Sequence, residues 1–193
     1  MIPDNIVFVK VGKLYNNNHV YQLKNKLLDF YPDSNYWCYT DSHIDDINII
    51  PPIITLKKWW PKLALFSNSM PFEGTVLYFD LDSVVKRKIE INNYKGLTVL
   101  NAYWKGDIEY PPHSYNVNIN SSIMKWTAGK QDHIWKHFLS NKDYFMRKYV
   151  GIDRFLVHEK IKLKKFPEGI VNTMQLNDRE ACVDIYNGLK YEL

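Results

Sequence analysis

The sequence predicts an α/β fold in a single domain spanning residues 1–193, with a mostly parallel central sheet flanked by helices. Three observations carry that reading. The chain opens with a β-rich apolar run, an amphipathic helical stretch and a second β-rich run. A third strand follows another helical segment. Strands separated in this way pair in parallel most economically, because each crossover leaves a helix on a sheet face. With 193 residues, 46% of them apolar, and no low-complexity run, the chain is long enough to bury a substantial core.

The first strand is NIVFVKV, Asn5 to Val11, ending at Gly12 and a loop. After the Asn16–Asn18 cluster, HVYQLKNKLLDFY sets Val20, Leu23, Leu27 and Phe30 at helical spacing. YWCYT is the second strand, stopped by DSHIDD. Past Pro51 and Pro52, KKWWPKLALF reads as a helix with Pro61 in its first turn, where a missing amide proton does no harm. TVLYFDLD is the third strand. Beyond it, GLTVLNAYW and YNVNINSSIMKW read as strands, and GKQDHIWKHFLSNKDYFMRKY reads as one polar to amphipathic helix. FPEG marks a turn, and a final helix is expected around Asp178 to Leu189.

Composition narrows the function classes. Two cysteines, Cys38 and Cys182, make neither a disulfide framework nor a zinc quartet. No stretch approaches the ~20 apolar residues that cross a bilayer, and the N-terminus lacks a signal-type core, so a soluble, cytoplasmic protein is expected, in a bacterium or an infected host cell. A net charge of +4 suits nucleic acid, anionic metabolites or a merely basic surface. No G-x-G-x-x-G follows the first strand, and no P-loop, His-Glu-x-x-His or serine elbow occurs.

The chemistry concentrates in GTVLYFDLDSVV. Strand side chains alternate, so Asp80 and Asp82 point the same way with α-carbons ~6–7 Å apart, while Leu81 points oppositely. Like charges that close need a cation between them, and a divalent metal such as Mn2+ or Mg2+ is the natural candidate. A lone Asp-x-Asp also arises where an aspartate merely starts a turn. In open α/β sheets, ligands bind beyond the carboxyl ends of strands, which is where this pair stands.

VKVGKLY, WCYTD, KKWWPKLALF, GTVLYFDLD, INSSIMKW and FPEGIV occur in that order. The ordered set resembles small bacterial and phage glycosyltransferases of the glycosyltransferase A fold, similar to the family 8 nucleotide-sugar transferases. The resemblance implies a Rossmann-like glycosyltransferase A fold, a UDP-sugar donor with UDP-glucose the first choice, and a metal held by Asp80 and Asp82. It implies a nucleotide cradle at Lys10, Val11 and Gly12, with Tyr15 available to stack on uracil. Leu81 would lie beside the donor, and Asn120 and Ser121 beside its sugar. Lys62 would act catalytically, its positive charge turned toward the diphosphate or the sugar, or else be an ordinary exposed helix lysine. Asp153, in GIDRFL, would stand near the reacting face of the sugar, or be a helix cap. Trp104 would wall the sugar pocket or sit in the core. Relatives usually carry Gly-Asp-Gln-Asp where this chain has Gly151, Ile152, Asp153 and Arg154, and a C-terminal His ligand for which FPEGIVNTMQ offers no counterpart. His158 would substitute only if the fold returned it. The acceptor is open among a glycan, a lipid carrier, a protein and modified DNA, and donor hydrolysis is a further expectation. The rival readings are a nucleic-acid-binding module and a metal-dependent nuclease or phosphohydrolase.

Overall fold

Alternation along the first strand decides the layering. In β1 (Asn5–Lys10), Ile6 and Phe8 face one side of the sheet and Val7 the other. In β4 (Thr75–Phe79), Leu77 and Phe79 join the first side while Val76 and Tyr78 join the second. Both strands are covered on both faces, as a central parallel pair must be. The computed structural model describes residues 1–105, 117–173 and 180–185.

The opening β-α-β unit forms as expected: β1, then α1 (Asn17–Leu28), then β2 (Asn35–Thr40), with β1 and β2 parallel from Asn5 opposite Asn35 to Lys10 opposite Thr40. Asn16 caps α1, its side-chain oxygen accepting from the amides of Asn18 and His19 at 3.0 and 3.4 Å. Val20, Leu23 and Leu27 are buried on the first side of the sheet; Phe30 lies past the helix end but packs against the same cluster.

The main sheet adds β3 (Asn48–Ile50), β6 (Leu97–Asn101), β7 (Ile119–Thr127) and β8 (Leu163–Lys165), in the spatial order β3-β2-β1-β4-β7-β6-β8. It is mostly parallel, as predicted; β7 alone runs antiparallel to its neighbours β4 and β6. A second sheet joins β5 (Ser83–Val85), β10 (Val183–Ile185) and β9 (Val171–Asn172).

The second face is covered by a 3-10 helix, Trp60–Phe66, and by α2 (Asp132–Ser140), α3 (Lys142–Lys148) and α4 (Ile152–His158). The 3-10 helix is buried throughout, including Lys62, so the alternative of an exposed helix lysine is wrong. Trp60 stacks on Phe138 at 5.3 Å, and Phe155 packs edge-on against Phe138 and Phe145 at 5.8 and 5.2 Å. Each such aromatic pair adds about 0.5–1.5 kcal/mol beyond its burial.

Two sequence expectations are corrected. The single helix expected before residue 150 is two, α2 and α3, because Asn141 leaves the helical region at φ −151°, ψ 47°. The final helix expected around Asp178 to Leu189 is a strand at 183–185, where Val183 and Ile185 are buried and Asp184 is not, a period of two. Residues 174–179 and 186–193 of that segment lie outside the described residues. Among the described residues no helix is long and apolar enough to cross a membrane.

Glu159 ties the helical layer together. It accepts from Tyr149 Oη at 2.5 Å, pairs with His137 Nε2 at 2.9 Å, and has Lys148 Nζ at 3.5 Å. Burial opposes ionisation of Glu159, but the Tyr149 and His137 hydrogen bonds and the Lys148 charge outweigh it and hold its carboxyl below the ordinary range. A depressed carboxylate stabilises the fold above its unfolded pKa and loses that contribution as pH falls through the folded value. Glu159→Gln should therefore lower stability by about 1 kcal/mol at pH 7. In urea denaturation the gap from the parent should close below about pH 4, and a gap independent of pH would contradict this reading.

Candidate active site

The carboxyl ends of β1, β2 and β4 and the first residues of antiparallel β7 open on one edge of the sheet, over a cleft of about 990 Å3. Val11, Gly12, Tyr15, Lys62, Asp80, Leu81, Asp82, Asn120, Ser121 and Asp153 all line it. Of the residues singled out in the sequence, Lys10 does not: its ammonium donates to Ser42 Oγ at 3.0 Å, and only its backbone leads into the cleft loop. Trp104 packs edge-on against Tyr103 at 5.6 Å, away from the cleft lining. His158 is exposed and stacks on Tyr149 at 5.7 Å, also outside the lining.

The loop after β1 is held open from both sides. Gly12 has φ +80°, a region that favours glycine, and its amide donates to Asp41 Oδ2 at 2.9 Å, at the end of β2. Three residues on, Tyr15 turns back to hydrogen-bond Asp82. Burial, then the charges of Asp82 and Asp80, push its phenol well above the ordinary range, so it stays a donor.

Asp80 follows β4 directly. Its amide donates to Ser122 O of β7 at 2.7 Å, extending the ladder one step. Its carboxylate is engaged by two neighbours. Lys62 Nζ lies 2.6 Å from Oδ1 and 2.7 Å from Oδ2, and the Tyr78 hydroxyl donates to Oδ1. Tyr78 is two residues earlier on the same face, and Lys62 sits over its ring at 5.3 Å. The two carboxylates are thus kept near one another by one lysine and two phenols.

Asp80 and Asp82 suit a hard divalent cation of the kind completed by substrate oxygens and water, since magnesium and manganese commonly take only one or two protein carboxylates beside phosphates. Lys62 would have to yield its place on Asp80. Among the described residues no group of three or more His, Cys, Asp or Glu side chains is arranged to hold a metal.

Beside Asp80, on the neighbouring strand β7, stand Asn120 and Ser121, and Asp153 joins them from α4. The β6–β7 register jumps between Val99/Leu100: Val99 faces Met124 but Leu100 faces Asn120, so Ser121, Ser122 and Ile123 have no β6 partner. That bulge turns this stretch toward the cleft. Asn120 Oδ1 accepts from the Ser122 amide at 2.8 Å, fixing the turn. Asp153, in the first turn of α4, is hydrogen-bonded by Ser121, and its Oδ1 is buried without a partner. Burial raises its carboxyl above the ordinary range, against the Ser121 hydrogen bond and the nearby charges of Lys105 and Lys62. An unsatisfied buried carboxylate oxygen in a cleft wall is where a ligand hydroxyl gains most.

Three participants escaped the sequence reading. Tyr78 was legible, two residues from Asp80 on the same strand face. Asp41 carries the same strand-end signature as Asp80. Lys105, whose ammonium donates to Ile119 O at 3.0 Å and whose pKa burial lowers, gave no local signal.

No family model matches the chain, and no curated protein does. Solved structures do. The galactosyltransferase LgtC, in complex with donor and acceptor sugar analogs, superposes with a TM-score of 0.67 at 12% identity, over 95% of this chain and 87% of that one. The glycosyltransferase GlyE of Streptococcus pneumoniae gives 0.62 at 11% identity, over 86% of this chain and 46% of its own. A glycosyltransferase involved in glycosylation of the major capsid of PBCV-1 gives 0.58 at 11%, over 96% and 94%. At these identities the likeness is one of architecture, and the architecture is that expected from the sequence: the chain has the glycosyltransferase A fold.

Proposed function

We propose that this protein is a glycosyltransferase that transfers a hexosyl group from a nucleotide sugar to an acceptor hydroxyl, with UDP-glucose the first-choice donor. One observation carries the reading. The paired aspartates, the glycine loop, the Asn120–Ser121 bulge and Asp153 come from four separate segments and line one cleft at the carboxyl edge of the sheet. That this fold recurs in glycosyltransferases, one of them bound to donor and acceptor sugar analogs, supports it.

In this reading Val11 and Gly12 receive the nucleoside along exposed backbone, and Asp41 keeps that loop from collapsing. The donor's diphosphate lies against Asp80 and Asp82. Held there, a Mn2+ or Mg2+ ion would neutralise the charge that develops on the departing diphosphate. Lys62, released from Asp80, turns its ammonium to the same phosphates. Asn120 and Ser121 bond sugar hydroxyls, and the unpartnered Oδ1 of Asp153 receives another. The bond that breaks joins the anomeric carbon to the diphosphate oxygen. The bond that forms joins that carbon to the acceptor oxygen, whose proton leaves toward the departing phosphate or solvent. The nuclease reading needs a second metal position, and among the described residues no group of three or more His, Cys, Asp or Glu side chains is arranged to hold a metal.

The test is UDP release from a panel of nucleotide sugars, with and without Mn2+. One UDP-sugar should turn over, Asp82→Ala should cut the rate by about 100-fold or more, and chelation should do the same. Cleavage or tight binding of oligonucleotides without any sugar turnover would overturn the proposal. Lys62→Met should raise Mn2+ affinity in the absence of donor by about tenfold, read by electron paramagnetic resonance, because a neighbouring cation disfavours a second one. Unchanged affinity would mean that Lys62 does not compete for Asp80. Asp153→Asn should slow transfer yet raise stability at pH 7 by about 1 kcal/mol. The sign follows from the raised carboxyl: the folded state disfavours the ionised form, so the gain is present at neutral pH and vanishes in acid, where Asp153 is protonated anyway. A melting temperature that falls at pH 7 would sink this account of Asp153.

A further inference from the structure

Of six tryptophans, Trp60, Trp126 and Trp135 are buried and Trp37 and Trp104 half-buried; Trp59 alone is exposed, at 37%, and it lines the cleft. Its position is built rather than incidental. Lys58, just before it, takes φ +57°, a left-handed conformation that a lysine adopts only at a cost, and its ammonium sits 5.4 Å from the Trp59 ring centroid. Gly151, packed directly against the ring, makes room. A β-carbon there would come within 2.9 Å of Trp59 Nε1 and 3.3 Å of Cδ1 and Cε2. The Gly151 backbone, at φ 175°, is extended and would accept any residue, so its glycine answers to the indole rather than to conformation.

The same two contacts locate Trp59. The Lys62 amide bonds Trp59 O at 3.3 Å, one turn before the lysine that holds Asp80, and Gly151 precedes Asp153 by two residues. The indole therefore stands on the side of the cleft where Asp153 faces the reacting sugar, and a second molecule resting on it would be next to the donor. Tyr15 and Tyr78, the other aromatics of the lining, have their hydroxyls committed to Asp82 and Asp80, and Tyr78 is buried. One flat, exposed indole in the cleft lining suits the C–H face of a single sugar ring, with Lys58, at 5.4 Å from the ring centroid, the neighbour that a ligand would meet there. A single-stranded nucleic acid would call for successive stacking platforms.

We propose that Trp59 is the floor of the acceptor subsite and that the acceptor is a pyranoside, its ring stacked on the indole and a hydroxyl directed toward Asp153. This rests on the glycosyltransferase reading above. The test uses the full chain with UDP and Mg2+ and reads binding of a panel of methyl hexopyranosides and simple disaccharides by saturation-transfer NMR. At least one should bind, with transfer from its ring protons. Trp59→Ala should weaken it about tenfold or more, and raise the acceptor KM by a similar factor with a smaller change in kcat; Trp59→Phe should recover most of the loss. Gly151→Ala, which displaces the indole without altering backbone preference, should weaken the same ligand. Pyranosides that bind equally to Trp59→Ala and the parent would overturn the subsite, as would binding of oligothymidylate or dodecyl phosphate micelles at Trp59 with no pyranoside bound. Failure of the function reading looks different: no UDP-sugar would turn over, whatever the pyranosides do.

Discussion

Everything at the functional edge depends on how the molecule tolerates four carboxylates around one cleft. Asp41, Asp80, Asp82 and Asp153 line the same space, and like charges in a partly dry site repel strongly. The fold answers with the Gly12 amide on Asp41, the buried Lys62 ammonium, the nearby charge of Lys105 and a set of hydroxyls. Lys62 bridges both oxygens of Asp80, Tyr78 donates to the same group, Tyr15 to Asp82 and Ser121 to Asp153. Hydrogen bonds to charged groups contribute about 1.5–3 kcal/mol, so this set decides whether the edge can hold its charge at all. It leaves one group short, the Oδ1 of Asp153.

The sheet topology makes that arrangement possible. Parallel β1, β2 and β4 deliver their carboxyl ends to one edge, bringing Gly12, Asp41 and Asp80 together from distant sequence. The antiparallel β7 then supplies its first residues to the same edge, and the jump in its register against β6 leaves Ser121 and Ser122 without partners on β6. The helical layer adds the third side. The 3-10 helix Trp60–Phe66 carries Lys62 inward because its neighbours Trp60, Leu63 and Phe66 are locked into the core, and α4 adds Asp153 to the same lining. Moving any of these strands by a residue would reverse which side chains face the cleft.

The sequence revealed whatever depends on local periodicity. Alternation in TVLYF set the faces of β4, and the spacing of Val20, Leu23 and Leu27 marked α1; the strand expected to run on through Asp82 stops at Phe79, and Asp80 and Asp82 reach the cleft through a turn in which the Ser83 amide donates to Asp80 O at 3.1 Å. It revealed much less wherever distant segments meet. Nothing near Lys62 announces that its ammonium crosses to Asp80, eighteen positions on, and nothing in KKWW says which tryptophan turns outward. Asn141, which splits the long helix, reads as one more polar helix residue until its backbone is seen. The tail failed for a different reason: CVDIY alternates with period two, but the segment is short and its strand exists only through pairing with β5 and β9.

The placement of Lys62 sets a condition on any donor. An ammonium held by both oxygens of a carboxylate is displaced only by something that compensates Asp80 at least as well, and a neutral sugar cannot do that. In the proposed function a diphosphate with a divalent cation would, because it would offer the carboxylate a new positive partner and the lysine a new negative one in the same event. The two exchanges are coupled by charge. Either alone leaves a buried ion unpaired, at a penalty of several kcal/mol, and both together leave none. Under the proposed function, a site wired this way would prefer a complete metal–diphosphate donor over either part, through a lysine that the family resemblance turns toward the diphosphate or the sugar.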